Sequence, residues 1–195
     1  VEEIGLILDT AEVMKEVGTR TIKKVPALRG HTVVNLFFEA STRTRTSFEV
    51  GMTQMGGHAV YMDWQATNFA LADLKDEAQA LSRYVDSVIA RMKHHDDLLD
   101  LTSGSEVPVI NGCCDRYHPC QALGDLLTIA EVRGGLAGAH VVYTGILNNV
   151  ANSLIVACSK TGVRITTVTP ETNPASEDNA LLEAARATGF FHETL

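Results

Sequence analysis

The sequence has no apolar run near the ~20 residues needed to span a bilayer, no surplus of positive charge and no dense cysteine framework. Its beginning, VEEIGLILDTAEVMKE, is acidic and amphipathic, where a secretory signal would be basic and then apolar. A cytoplasmic chain without a membrane partner is therefore expected. Lys and Arg number 16 against 24 Asp and Glu, a net charge of −8 with His neutral, which opposes a general electrostatic grip on nucleic acid. Any anion must then be held locally. The four cysteines (Cys113, Cys114, Cys120 and Cys158) are not spaced like a small secreted scaffold, so reduced thiols are expected. There is no repeat of fixed period and no low-complexity tract.

What is present is ample core material: 45% hydrophobic and 21% charged residues over 195 positions. That length suits one domain plus part of another. Ile4, Ile7, Leu8, Ala11 and Met14 recur at helical spacing and mark a first amphipathic helix. Strands are then expected at 32–38, 58–62, 87–92, 107–110, 139–143 and 164–169, and helices at 43–55, 74–84, 95–101, 119–132, 148–160 and 179–188. Strict alternation implies an α/β fold with a doubly wound parallel sheet, because each short crossover must carry a helix back over the sheet. Gly134-Gly135 marks the expected boundary between a domain at 1–134 and the start of a second, Rossmann-like domain at 135–195. Two strands are too few to stand alone, so the second domain is expected to be incomplete or completed by something else.

Ligands of open α/β sheets gather at the carboxyl ends of strands, and four strand-to-helix turns are unusual. The first, EASTRTRTS at 39–47, opens a helix with hydroxyls and arginines beside the free N–H groups of the first turn. That composition suits a phosphate cradle. The rival reading has Ser41 or Thr42 capping the helix and both arginines solvated. The second is Arg91, a cation at the end of the apolar strand SVIARM, or else a surface Arg where that strand emerges. The third is YHPCQ at 117–121: Pro119 suits a first helical turn, placing His118 at the helix edge and Gln121 one turn on. There a neutral imidazole can donate to a carbonyl oxygen, although a capping His and a packing Gln explain the residues equally well. The fourth is TGILNNVANS at 144–153, which has the place of a dinucleotide fingerprint but one glycine where G-x-G-x-x-G is needed. Its asparagines suit an amino acid's polar groups, or a capped helix. Cys113, Cys114, His118 and Cys120 lack the paired two-residue spacing of structural zinc sites, so no metal or other cofactor is expected.

FFEASTRTRTSFE, a strand-end Arg and YHPCQ, in that order, resemble the aspartate/ornithine carbamoyltransferase family over nearly the whole chain. NNVANS and the Cys of HPCQ look like its ornithine branch. The resemblance implies a carbamoyl-phosphate domain and carbamoyl transfer to the amine of an amino acid, ornithine or an ornithine derivative, in arginine biosynthesis. It implies that Ser41, Thr42, Arg43 and Thr44 bind the phosphate. Arg91, His118 and Thr44 would hold the carbamoyl oxygen and Gln121 the carbamoyl amide, with Asn149 and Asn148 at the acceptor. It also implies a homotrimer or a multiple of one, in which a loop before the helix at Leu74 brings a polar or basic side chain to a neighbour's site. Segment 65–72 carries no such Lys, although Lys75 follows. Gly145-Ile146 replaces the Gly-Asp common in the family at that turn. The alternative expectation is a truncated, catalytically silent protein that binds an anion or a partner subunit.

Overall fold

The structure, a computed structural model, describes residues 2–22 and 25–194. Packing divides the chain into two compact units, residues 17–114 and residues 1–16 with 115–195.

In unit 17–114 the strands are β1 (Thr32–Phe37), β2 (His58–Asp63), β3 (Ser87–Arg91) and β4 (Val109–Cys113). They form a parallel sheet in the order β2-β1-β3-β4. The helices are α2 (Thr42–Gln54), α3 (Leu74–Leu81) and α4 (His95–Gly104). β1 is inside the sheet, and Val33 through Phe37 are all buried, as a strand covered on both faces requires. Asn35 interrupts its apolar run: it is fully buried and neither carboxamide atom has a partner. Val33, Phe37, Ile89 and Met52 pack together, with Phe48 and Tyr61 against them. The structure moves β4 from the expected 107–110 to Val109–Cys113. Gly112, which reads as a turn, is a strand residue, and a Cβ there would lie 3.3 Å from the Ala90 carbonyl oxygen and the Ile89 side chain. Gly104 is a second close approach, since a Cβ would come within 2.4 Å of the Lys75 backbone.

The unit of 1–16 and 115–195 holds most of α1 (Glu2–Gly18), then α5 (Pro119–Arg133), α6 (Asn149–Thr161) and α7 (Asn179–Ala187). Its strands β5 (His140–Leu147), β6 (Arg164–Thr172) and β7 (Phe191–Thr194) form a parallel sheet in the order β5-β6-β7. Two strands were expected here and three are present. α6 is buried along most of its length, and Ile155 and Cys158 share a core with Leu126 of α5, Ile165 of β6 and Leu8 of α1. Ile7 does not belong to α1's buried stripe; it is 48% exposed. α5 ends where Gly134 adopts φ +74°, a left-handed stop that favours glycine. By packing, α5 thus joins the residues that follow it, whereas the sequence break was expected after 134. β5 is also longer than expected, running on to Leu147 through an irregularity between Thr144 and Ile146 at Gly145, φ +139°.

Candidate functional site

The sheet of unit 17–114 has one topological switch point. From β1 the chain crosses through α2 to β2 on one side, and from β3 it crosses through α4 to β4 on the other, while β1 and β3 are neighbours. A crevice outside the carboxyl ends of β1 and β3 is where such a sheet binds ligands. Phe37 is in register with Arg91, and the Phe38 amide donates to the Arg91 carbonyl at 2.8 Å. The segment leading to Ser41 and the Arg91 backbone are therefore tied at one sheet end.

Helix capping separates the two readings of the first turn. Ser41 is the N-cap residue of α2, with extended backbone at φ −150°, and makes no side-chain cap hydrogen bond. α4, which starts just past β3, is also without a side-chain cap. By contrast Asp73 caps α3, Asn148 caps α6 and Asp178 caps α7. The two helices following the switch-point strands thus keep first-turn N–H groups uncapped by side chains, at the positive ends of their dipoles. The side chains of Ser41, Thr42, Arg43, Thr44 and Arg91 make no hydrogen bond or ion pair among the described residues, and Arg91 Nε is buried without a partner. A buried, unpaired guanidinium nitrogen is costly unless an anion completes it. The second arginine of the run is differently employed. Arg45 lies 3.5 Å over the Tyr61 ring and donates from Nε to Glu49 at 2.8 Å, so it braces α2 against β2.

The loop between β2 and α3 is pinned beside Phe38. Trp64 and Phe69 are buried with their rings 5.4 Å apart and tilted by 35°, and Phe38 lies 6.0 Å from Trp64. Leu71 beyond them is 87% exposed. Lys75, the basic residue nearest the loop, is paired with Asp100 at 3.3 Å.

The remaining expected residues belong to the other unit. His118 is the N-cap residue of α5, followed by Pro119 at its first position, as the sequence implies, and its side chain makes no cap bond. Its amide donates to Ser153 Oγ at 2.7 Å. Gln121 donates from Nε2 to Asp125 at 2.9 Å, which leaves its carbonyl oxygen as the open, accepting end. Asn148 Oδ1 accepts from the Val150 and Ala151 amides at 3.0 and 3.1 Å, so the capping role is real and leaves only its N–H groups for a ligand. Asn149 Oδ1 accepts from the Val150 amide at 3.0 Å. Missed from the sequence were the polar partners of residues 115–118, which come from 152–178 and leave no local signal.

Burial raises the Cys120 thiol above its usual range, and burial followed by the Asp125 carboxylate pushes Cys158 up to about 12. All four cysteines are free, and neither Cys120 nor Cys158 is activated as a nucleophile. Among the described residues no group of three or more His, Cys, Asp or Glu side chains is placed to hold a metal ion. No helix among them is long and apolar enough to cross a membrane.

The carbamoyl-phosphate-binding-domain model of aspartate/ornithine carbamoyltransferases matches residues 1–131. The chain belongs to the aspartate/ornithine carbamoyltransferase family. Its similarity is to the ornithine branch. It is 46% identical to the ornithine carbamoyltransferase of Pyrococcus abyssi over 87% of its own length and 54% of the relative's. It is 42% identical to that of Haloquadratum walsbyi, over 96% of this chain and 61% of the relative. The solved ornithine carbamoyltransferase of Pyrococcus furiosus superposes with a TM-score of 0.89 at 40% identity, covering 100% of this chain and 63% of that one. The chain thus spans a little over half the length of the relatives it matches.

Proposed function

We propose that this family member binds carbamoyl phosphate at the switch point of β1 and β3 and serves carbamoyl transfer to the amine of ornithine or an ornithine derivative. The observation that carries the reading is the uncapped start of α2 beside Arg91, whose buried Nε lacks a partner. In this reading Ser41, Thr42, Arg43 and Thr44 hold the phosphate. Thr44, Arg91 and His118 donate to the carbamoyl oxygen, and Gln121 accepts from the carbamoyl amide. The acceptor amine, bound by Asn149 and by the N–H groups of Asn148, attacks the carbonyl carbon. Charge grows on the carbamoyl oxygen, phosphate leaves with the electrons of the broken C–O bond, and the departing phosphate takes up the proton that the attacking amine loses. Preorganised donors at the two oxygen positions lower the barrier, and no covalent enzyme intermediate is needed.

The residues 1–134 form the carbamoyl-phosphate domain in this reading and 135–195 the beginning of the acceptor domain. The protein works in the cytoplasm as a homotrimer or a multiple of one. Calorimetric titration with carbamoyl phosphate tests the cradle: binding is expected in the native chain and lost in Arg43→Ala, and no heat in the native chain refutes it. Incubation with carbamoyl phosphate and ornithine, acetylornithine, putrescine or aspartate tests transfer. Binding without a citrulline-type product from any of them identifies a silent anion binder.

A further inference from the structure

Four consecutive residues ahead of α5 are each held by a different polar group from 152–178. The Ser176 hydroxyl donates to the Asp115 carbonyl at 2.5 Å, and Asn152 Nδ2 donates to the Arg116 carbonyl at 3.1 Å. The Tyr117 hydroxyl donates to the Asp178 carboxylate, and the His118 amide donates to Ser153 Oγ at 2.7 Å. Asn152 is fully buried and spends its second N–H on the Ser176 carbonyl at 2.7 Å. One primary carboxamide therefore staples the 115–118 segment to the 173–177 segment. Neither a carboxylate nor an apolar isostere provides two donors for two carbonyls.

These bonds exceed what starting a helix requires. α3, α6 and α7 each start from a single capping side chain, whereas α5 starts from a histidine that does not cap. His118 is instead fixed through its backbone, by Ser153 at its amide and by the ring of Pro119 on its other side. Such outside support is what a side chain needs when its orientation matters to chemistry.

We propose that Ser153 and Asn152 are positioning residues for His118, with Tyr117–Asp178 and Ser176 completing the latch. The inference rests on the proposed function only in assigning His118 to the carbamoyl oxygen. Because Asn152 and Ser153 are among the first five residues of α6, the helix that begins at the acceptor asparagines also sets the imidazole.

The test is an NMR titration of the histidine rings in the 195-residue chain, with the His118 signals assigned by their loss in His118→Gln. Ser153→Ala and Tyr117→Phe are expected to move the His118 midpoint by about 0.5 pH unit, within the ordinary scatter of folded-protein histidines. His140 and His192 should stay in place, and Ser153→Thr, which keeps the accepting hydroxyl, should restore the native midpoint. Neither variant depends on burying a new charge, as Asn152→Asp would. An unmoved His118 in both variants, or equal movement of all three histidines, overturns the proposal. Adding carbamoyl phosphate to the native chain tests the underlying reading separately. A His118 ring that ignores the ligand yet moves in Ser153→Ala refutes the assignment to the carbamoyl oxygen and supports the latch.

Discussion

At the start of α2 the side chain in the capping position, that of Ser41, makes no cap hydrogen bond, whereas at the start of α6 the Asn148 side chain accepts from two amides. The same contrast separates the ends of β1 and β3 from the start of α6. Around β1 and β3, the side chains of Ser41, Thr42, Arg43, Thr44 and Arg91 make no hydrogen bond or ion pair among the described residues, and Arg91 Nε, like Asn35 Nδ2, is buried without a partner. Around α6, polar side chains are used on the protein's own backbone: Asn148 on two amides, Asn152 on two carbonyls, Ser153 on the His118 amide. Groups left open cost stability unless a ligand completes them, whereas closed groups stabilise and fix geometry. Residue type alone does not say which, since both regions are rich in short polar side chains.

Arg91→Ala gives the largest effect that bears on this contrast. Loss of a charged hydrogen bond of ~1.5–3 kcal/mol predicts carbamoyl-phosphate affinity roughly 10–100-fold lower by calorimetry. The melting temperature should not fall, because no protein partner is lost; a large fall with unchanged affinity breaks the contrast. Next is Gly104→Ala, where the new methyl meets the Lys75 backbone. Overpacking should cost about 1–3 kcal/mol in urea denaturation. Cradle affinity should survive in the folded fraction. Asn148→Ala follows. Losing a doubly accepting cap predicts about 1 kcal/mol lower stability with carbamoyl-phosphate affinity unchanged within twofold, and an affinity loss matching that of Arg91→Ala would place Asn148 among the open groups.

The smallest effect at neutral pH belongs to Cys158, where it is nil. Its folded pKa is pushed up to about 12 from an ordinary 9.0, so the unfolded thiol ionises first. Below about pH 9 both states hold the proton and the full contribution is present. As pH rises from 9 towards 12 the unfolded state binds fewer protons and stability falls. Denaturation curves at pH 8 and pH 10 in native chain and Cys158→Ala check this: the native chain should lose more stability between the two, and equal losses would remove Cys158 as the cause.

Much of the fold was legible because parallel strands covered on both faces leave runs such as TVVNLF, and their crossovers show helical periodicity. The STRTR run stood out because hydroxyls and arginines are concentrated in one short segment, and the structure places that segment at the turn from β1 into α2. What failed to show has local causes. β7 is four residues, FHET, with three exposed, so it carries neither an apolar run nor an alternation long enough to read. Gly112 and Gly145 look like turns but sit within β4 and at the β5 irregularity, where the need is for close approach or a positive φ. The two arginines of STRTR are equivalent in sequence and are distinguished by Tyr61 and Glu49, the first of which comes from β2. The latch on 115–118 was invisible because its bonds join residues 35 to 61 positions apart.

The Phe38–Arg91 ladder bond ties the carboxyl ends of β1 and β3, and the 65–72 segment is an excursion between two anchored elements, leaving from β2 and returning through α3 to β3. Lengthening such an excursion is cheap, about 0.6 kcal/mol for each doubling of a flexible loop. Insertions or replacements around 65–72 can therefore be grafted or selected without displacing either terminus, provided Trp64 and Phe69 keep their seat beside Phe38. The 65–72 loop is thus free to vary in length while the ends of β1 and β3 stay tied.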